Sequence, residues 1–231
     1  MSAVPEGINL PRADAEGWSA AQLVAFALEQ FSPKVAIASS FGAEDVVLIH
    51  LAAQTGREFR VFTLDTDFLF PETYTLIDEV ERLYHIRVER TRPRLTPEQQ
   101  AQEFGAALWS REPDQCCSIR KVAPLTQKLS ELDAWITGIR RDQAPTRANA
   151  RKLDWDSKFG LVKANPLADW TWDQVWEYIR VHQVPYNPLH DQNYPSIGCT
   201  YCTRPVQAGE DPRAGRWSGF QKTECGLHAK G

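Results

Sequence analysis

Residues 34–51 (KVAIASSFGAEDVVLIHL) constrain the fold of this chain more than any other stretch. The apolar run 35–38 has the length of a buried parallel strand, and an apolar set at helical spacing follows a turn. That turn passes through the small residues Ser39, Ser40 and Gly42. A strand, a tight turn and a helix start make a βα unit, whose helix directs free N–H groups and a positive dipole end toward the turn.

The turn has two interpretations. A helix N-terminus behind a small-residue turn is a common binding place for an anion, most often a phosphate. An ordinary βα turn with a serine N-cap is the alternative, and these residues alone do not decide between the two. No lysine follows the turn in the Walker pattern, which disfavours a P-loop NTPase.

Segments with strand character alternate with segments of helical period along most of the chain. The predicted strands are 35–38, 59–65, 86–89, 134–138 and, at the edge of the sheet, 161–164. The predicted helices are 19–30, which opens with a capping box at Ser19, and 43–54, 71–85, 97–108, 116–132 and 170–182. This alternation predicts an α/β fold with a doubly wound parallel sheet, in which ligands bind at the carboxyl ends of the strands.

The chain divides into three parts. Residues 1–17 are predicted to form an irregular N-terminal arm, 18–184 the α/β domain, and 185–231 a turn-rich C-terminal segment. A length of 231 residues with 42% hydrophobic residues is enough for one such domain with a real core. A segment so poor in periodic structure needs a staple, and Cys199 and Cys202 lie inside it.

Composition excludes several classes of function. The net charge of −4 gives no basic field for nucleic acid, and no apolar run is long enough to cross a membrane. The N-terminus lacks the pattern of a signal peptide. A cytoplasmic location is therefore predicted, where cysteines are metal ligands or catalysts more often than disulfides.

A basic loop is predicted to follow the fourth strand. Five cations and one acid lie between Arg140 and Lys152. A solvated loop is the usual explanation of such a run. Because this loop lies at the ligand edge of the sheet, an anion-binding loop is the favoured interpretation.

Four of the five cysteines form two pairs, Cys116 with Cys117 and Cys199 with Cys202. Four converging thiolates suit zinc or an iron–sulfur cluster. Adjacent cysteines diverge on a helix, so a cubane with separate iron corners accepts them more easily than a single ion does. Arg120 and Lys121 are three and four residues beyond Cys117 on the predicted helix and could offset the negative charge of a cluster. Zinc and a disulfide between the pairs are the alternatives, and the compartment argues against the disulfide.

The fifth cysteine, Cys225, is predicted to be a reactive thiol near the end of the chain. Lys222 and His228 lie close to it in sequence and could lower its pKa. Arg213 and Arg216 precede it, and two arginines near a nucleophile indicate an anionic reacting group. An incidental surface thiol is the alternative.

Three segments together resemble the assimilatory sulfonucleotide reductases, which reduce adenylyl sulfate (APS) or its 3′-phosphorylated form (PAPS). They are residues 39–45 (SSFGAED), 64–66 with 70–74 (LDT and FPETY), and 224–228 (ECGLH). The two cysteine pairs are similar to those of the iron–sulfur branch, which usually takes APS. Asp67 departs from the pattern, because the family often has glycine after Leu-Asp-Thr.

The resemblance implies a sheet of the adenine nucleotide alpha hydrolase (PP-loop) type and a set of functional residues. The nucleotide and its phosphate or sulfate would be bound by Ser39, Ser40, Gly42, Leu64, Asp65, Thr66, Gly138, Arg140 and Arg147. The phosphosulfate would be bound by Arg213, Arg216 and His228, with Lys121 between it and a 4Fe-4S cluster. The cluster ligands would be Cys116, Cys117, Cys199 and Cys202, and the nucleophile would be Cys225.

The implied reaction is reduction of APS to sulfite and AMP through an S-sulfocysteine, with thioredoxin or a glutaredoxin-like dithiol as reductant. PAPS reduction or dual specificity is the first alternative. A PP-loop enzyme that uses ATP, such as an ATP sulfurylase subunit or a tRNA thiolase, is a second. A zinc-stapled module that binds RNA through residues 140–152 is a third. Neither nucleic acid nor membrane is an expected partner, and the oligomeric state is open, a homo-oligomer included.

Overall fold

A mixed sheet forms the centre of the part of the chain that the computed structural model describes, which is residues 10–222, 224, 226 and 227. Its strands are β1 (Val35–Ala38), β2 (Arg60–Leu64), β3 (Val88–Thr91), β4 (Ala134–Ile136), β5 (Leu153–Asp156) and β6 (Leu161–Ala164). Their spatial order is β3-β2-β1-β4-β6-β5, and all neighbours are parallel except β5 and β6. The predicted α/β fold with a largely parallel sheet is confirmed.

Helices cover both faces of this sheet. They are α1 (Arg12–Ala15), α2 (Ala20–Phe31), α3 (Ala43–Gln54), α4 (Pro71–Tyr84), α5 (Pro97–Phe104), α6 (Leu108–Arg111), α7 (Pro113–Cys117), α8 (Ala123–Leu129) and α9 (Trp172–His182). A π-helical segment, Ser118–Val122, joins α7 to α8. Among the described residues, no helix has the length and apolar character that crossing a bilayer requires.

Three of the helices begin at a capping box. Ser19, Thr96 and Thr171 each accept a hydrogen bond from the backbone N–H three residues later. The glutamine at that later position accepts one from the N-cap backbone in return. Because two otherwise unpaired donors are satisfied at each site, the start of α2, α5 and α9 is fixed by local sequence. The predicted box at Ser19 is confirmed.

Helix α3 is the most deeply buried element beside the sheet. Eight of its twelve residues are buried, and it packs between α2 and α9. Ile49 is fully buried in the larger core cluster, which fills this side of the sheet. A smaller cluster built around Phe62, Leu125 and Trp135 fills the other side. The two cores hold β1 between them and so fix the turn that follows it.

The prediction of β6 as an edge strand was wrong. β6 lies between β4 and β5, and the edge belongs to β5, which the sequence did not predict. The four residues of β5 alternate apolar with acidic side chains, and Leu153 is fully buried while Trp155 packs against the larger core. A tight hairpin returns the chain from β5 into β6, which explains the one antiparallel pair.

Other boundaries also differ from the prediction. The predicted helix 97–108 is divided at Gly105, whose φ of +82° ends α5 and turns the chain into α6. The predicted helix 116–132 ends at Leu129 and contains the π-helical segment directly after the cysteine pair. The third strand lies two residues later than predicted. The predicted irregular arm contains the helical turn α1, whose Ala15 is buried.

Because Ile49 is fully buried between packed helices, Ile49→Ala should lower the free energy of unfolding by about 2–5 kcal/mol. The control is Leu83→Ala, because Leu83 lies on α4 with 47% of its surface exposed. Urea unfolding followed by circular dichroism measures both. An Ile49→Ala midpoint equal to that of the control would contradict the central place given to α3.

Candidate active site

A cavity of about 590 Å³ opens at the carboxyl ends of β1, β2 and β4. Eleven of the predicted substrate-binding residues line it: Ser39, Ser40, Gly42, Leu64, Thr66, Lys121, Gly138, Arg140, Arg147, Arg213 and Arg216. They come from segments as far apart in sequence as the first strand and the C-terminal region. The fold therefore brings most of the predicted set to one place, which is where α/β sheets bind ligands.

The turn after β1 is held by Asp45 on the first turn of α3. One carboxylate oxygen of Asp45 accepts from the backbone N–H of Ser40 at 2.6 Å and from its hydroxyl at 2.8 Å. The N-cap of α3 is Gly42, which has no side-chain capping bond. The alternative of a serine N-cap is therefore wrong, and the helix end at the cavity is formed by a residue without a side chain.

Asp45 is itself an unusual acid. Burial, and after it the charge of the neighbouring Glu44, raise the pKa of Asp45 to about 6, and the hydrogen bonds from Ser40 only partly oppose the shift. A second anion beside such a group is favourable only if cations balance the charge. The arginine and lysine side chains that line the same cavity supply that balance.

Part of the basic loop lies against the cavity: Arg140, Arg141 and Arg147 line it, while Arg151 is exposed. Arg140 is 4% exposed and donates through Nε to Glu44 Oε1 at 2.9 Å, while Asp142 accepts from its Nη1. Its guanidinium also lies 5.2 Å from the centre of the Trp172 ring. Arg140 is thus fixed by carboxylates and an aromatic face, with the rest of the loop folded into two short 3-10 turns.

Three further arginines line the cavity from the loop and the C-terminal region. Arg147 and Arg213 both donate to Glu224, at 2.9 Å and 3.3 Å for the shortest contacts. Arg216 donates to Ser196 Oγ at 3.0 Å and lies over the ring of Trp217. The cations that the sequence predicted to meet an anion therefore line one cavity.

Asp65 is a predicted site residue that the structure does not bring to the cavity. Its side chain is 1% exposed and accepts from the hydroxyl of Tyr74 at 2.7 Å and from Arg92 at 3.0 Å. Burial raises the pKa of Tyr74, and the carboxylate of Asp65 raises it further. Asp65 thus joins the end of β2 to α4, behind the residues that line the cavity.

Asp67 is the position at which the sequence departs from the expected family pattern, and here the structure gives the side chain a partner. Its φ of +58° is in the left-handed region that glycine favours. Its carboxylate accepts from Nη2 of Arg120 at 2.6 Å, and Arg120 is 1% exposed. The same guanidinium donates to the carbonyl of Thr66 at 2.7 Å and to Gln100 at 3.0 Å. Arg120 therefore connects the end of β2 with α5.

A second, smaller cavity is lined by all four paired cysteines. Cys116, Cys117, Cys199 and Cys202 are free thiols, so the alternative of a disulfide between the pairs is not what the structure shows. Thr66 Oγ1 lies 3.3 Å from the Sγ of Cys199, and Gln100 Nε2 lies 3.9 Å from that of Cys116. Lys121 lines both cavities, and Thr66, which contacts Cys199, lines the larger one. The two cavities are therefore neighbours.

The chemistry of these donors fits an iron–sulfur cluster. Among the residues that the structure describes, no histidine or carboxylate lines the small cavity, and thiolates are the ligands that such clusters take. Within the described ranges, no group of three or more His, Cys, Asp or Glu residues is arranged to hold a metal ion, so the fit rests on the type of donor alone. Burial and the neighbouring thiols raise the pKa of Cys116 and of Cys202 to about 11, so binding must displace protons.

The structure adds residues that the sequence did not single out and leaves two predicted ones undescribed. Glu44, Asp45, Trp172, His190 and Glu224 also line the larger cavity. The three acids among them belong to the motifs 39–45 and 224–228, so these motifs could have indicated them as site residues. The predicted nucleophile Cys225 and the predicted phosphosulfate ligand His228 lie outside the described residues.

Comparison with known proteins decides the family. The family profile described as phosphoadenosine phosphosulfate reductase domain matches residues 34–205. This chain belongs to that family. Adenosine 5′-phosphosulfate reductase of Halalkalibacterium halodurans is 50% identical over 207 residues, which are 89% of this chain and 90% of that protein. Adenosine 5′-phosphosulfate reductase 2 of Bacillus subtilis is 47% identical over 204 residues, 88% and 86% of the two chains.

Solved structures agree with this assignment. Phosphoadenylyl-sulfate reductase from Candida auris, solved as a phosphate complex, has a TM-score of 0.74 and 27% identity over 85% of this chain and 99% of that one. An FMN adenylyltransferase from Candida glabrata has a TM-score of 0.58 at 15% identity, over 89% and 72% of the two chains, and shows a shared fold only. The family predicted from the three sequence motifs and the predicted fold type are both confirmed.

Gly138 should be intolerant of a side chain because a Cβ there would lie 2.5 Å from Asp45 Oδ1 and 2.9 Å from Glu44 Cβ. Overpacking of this kind costs about 1–3 kcal/mol and would displace the start of α3 at the cavity. We expect Gly138→Ala to weaken AMP binding about tenfold or more, measured by isothermal titration. Gly17→Ala is the control, because its nearest contact is an oxygen 3.5 Å away. Equal AMP affinity in the two variants would contradict the packing argument.

Proposed function

We propose that this chain reduces adenylyl sulfate to sulfite and AMP. The observation that carries the proposal is the contact between the two cavities, one lined by cations at the sheet edge and one lined by four thiols, with Lys121 in the wall of both. The names of relatives that are about 50% identical over most of both chains support the same substrate.

The larger cavity offers complementary groups to a sulfonucleotide. The open N-terminus of α3 at Gly42 and the hydroxyl of Ser39 are suited to phosphate oxygens, and the hydroxyl of Ser40 would join them by leaving Asp45. Arg140, which is 4% exposed, and Arg216 place guanidinium groups in the cavity wall, and electrostatic stabilisation is strongest where water is excluded. Cations that meet the phosphate as it gains charge would favour departure of AMP.

The proposed reaction proceeds in two displacements at sulfur. The thiolate of Cys225 attacks the sulfur of the substrate, a bond forms between the two sulfur atoms, and the bond from that sulfur to the bridging oxygen breaks. AMP leaves with the electron pair, and Cys225 holds an S-sulfonate. A thiolate of a reduced dithiol, such as thioredoxin, then attacks the cysteine sulfur and releases sulfite. The second thiol of that dithiol resolves the mixed disulfide, so the dithiol supplies both electrons.

The four paired cysteines are proposed to hold a 4Fe-4S cluster. When bound, the cluster would place negative charge beside Lys121 and would join the segment around Cys199 and Cys202 to the end of α7. The chain's own part is to hold these side chains in place. Thr66 and Gln100 contact two of the sulfur atoms. Arg120 donates to the carbonyl of Thr66 and to the side chain of Gln100, and so holds both residues in place.

PAPS is the second candidate substrate. The solved Candida auris protein is named for PAPS, and its similarity to this chain favours that substrate. It is only 27% identical to this chain, however, whereas the relatives named for APS are about 50% identical. Sulfite release from APS and from PAPS, measured side by side with reduced thioredoxin, separates the two. AMP and pyrophosphate production from ATP alone would favour the ATP-using alternative instead.

Cys225→Ser should abolish sulfite formation from APS, because the variant has no thiolate to attack the substrate sulfur. AMP binding should be retained, because the residues proposed to bind the nucleotide are unchanged. Sulfite release with reduced thioredoxin and AMP titration measure the two properties in one preparation. Turnover by Cys225→Ser at the wild-type rate would remove the proposed role of this residue.

Purified protein should contain iron and acid-labile sulfide, because four free thiols line one cavity. Cys202→Ser should lose most of both, while Ser118→Ala, a change next to the cysteine pair, should keep them. Metal analysis and the visible absorption spectrum are the measurements. Stoichiometric zinc with no labile sulfide would reject the cluster and favour the zinc alternative.

A further inference from the structure

Glu224 lies in the wall of the larger cavity, and its carboxylate is held by the loop opposite. Arg147 donates to it twice, from Nε at 3.0 Å and from Nη2 at 2.9 Å. Thr146 and Arg213 add contacts at 3.3 Å each. A two-point contact between a guanidinium and a carboxylate fixes orientation as well as distance.

Both members of this pair are largely removed from water. The exposed fraction is 12% for the side chain of Arg147 and 17% for that of Glu224. Burial alone would raise the pKa of Glu224, but the hydrogen bond and charge of Arg147 and the charge of Arg213 outweigh it, so the pKa lies below its ordinary value. Removing one partner of such a pair leaves an uncompensated charge, so the two groups hold each other in place.

Arg147 also has a donor engaged within its own loop. Its Nη1 donates to Gln143 Oε1 at 2.6 Å, and the amide of Gln143 donates to Glu44 at 2.8 Å and to the carbonyl of Gly138 at 3.2 Å. The guanidinium is thus directed at Glu224 by a chain of bonds that begins on α3 and at the end of β4. This is the arrangement of an anchor for another segment of the protein.

The described residues on the other side of position 225 are held as well. The carbonyl of Gly226 accepts from Lys158 Nζ at 2.5 Å. Leu227 packs against the smaller core cluster, which contains Trp135 and Leu125. Glu224 is the chain neighbour of Cys225 on one side and Gly226 on the other, so these contacts tether the segment that carries the cysteine.

We propose that Glu224 and Arg147 form a positioning pair that holds this segment at the cavity. On this view, Arg147 affects the reaction through Glu224 and is not a ligand of the nucleotide. The proposal rests on the proposed function and deepens it by giving Arg147 a different role from the one that the family resemblance implies. Its catalytic benefit is orientation, because small misplacements of a reacting group reduce rates severely.

The test is a double-mutant cycle with Glu224→Gln and Arg147→Gln in the full chain as purified. Each single variant should lower kcat for APS by about 10- to 100-fold, and the double variant should lose no more than either single one. AMP affinity should remain at the wild-type level in all three. Glu210→Gln is the control, because Glu210 makes a comparable two-point contact with Arg204 at a more exposed place.

A second readout does not depend on catalysis. Hydrogen exchange of the peptide that contains residues 224–227, followed by mass spectrometry, should be faster in both single variants and unchanged in Glu210→Gln. Weaker AMP binding in Arg147→Gln with normal binding in Glu224→Gln would overturn the proposal, since Arg147 would then be a nucleotide ligand. Unchanged exchange in Glu224→Gln would overturn it too. Absence of sulfite from the wild-type protein would refute the proposed function, whereas the exchange rates would still decide whether the pair anchors the segment.

Discussion

The parallel register of β1 with β2 and β4 is the constraint on which the site depends. It brings the carboxyl ends of three strands together, so the turn at Ser39–Gly42, the Thr66 segment and the loop after β4 open into one cavity. The side chains at this edge of the sheet are placed by the register, and those of the C-terminal region meet them there. A change in strand order would separate the cations even if every helix were kept.

Charge balance is the second organising principle. Two arginines of the cavity pair with acids from distant segments, Arg140 with Glu44 and Arg147 with Glu224. Arg120 is balanced by Asp67 in the same way. Buried cations are stable only when paired, so a site built for an anion needs internal partners of this kind.

Local features could be predicted from the sequence, and features that depend on tertiary contacts could not. The first βα unit and the capping box at Ser19 follow from patterns within a few residues of one another. Strand β5 was missed because it is short and half acidic, and only its pairing with β6 makes it a strand. The burial of Asp65 and the partner of Glu224 depend on residues 27 and 77 positions away, which no local pattern contains.

The central claim is that Cys225 receives the oxidised sulfur of a nucleotide bound at the carboxyl edge of the sheet. The most direct test mixes the protein with APS in the absence of any dithiol and maps the product by mass spectrometry. We predict a sulfonate on the peptide that contains Cys225 and release of AMP in equal amount. An unmodified Cys225 peptide after full consumption of APS would contradict the account, although the fold and the family would stand.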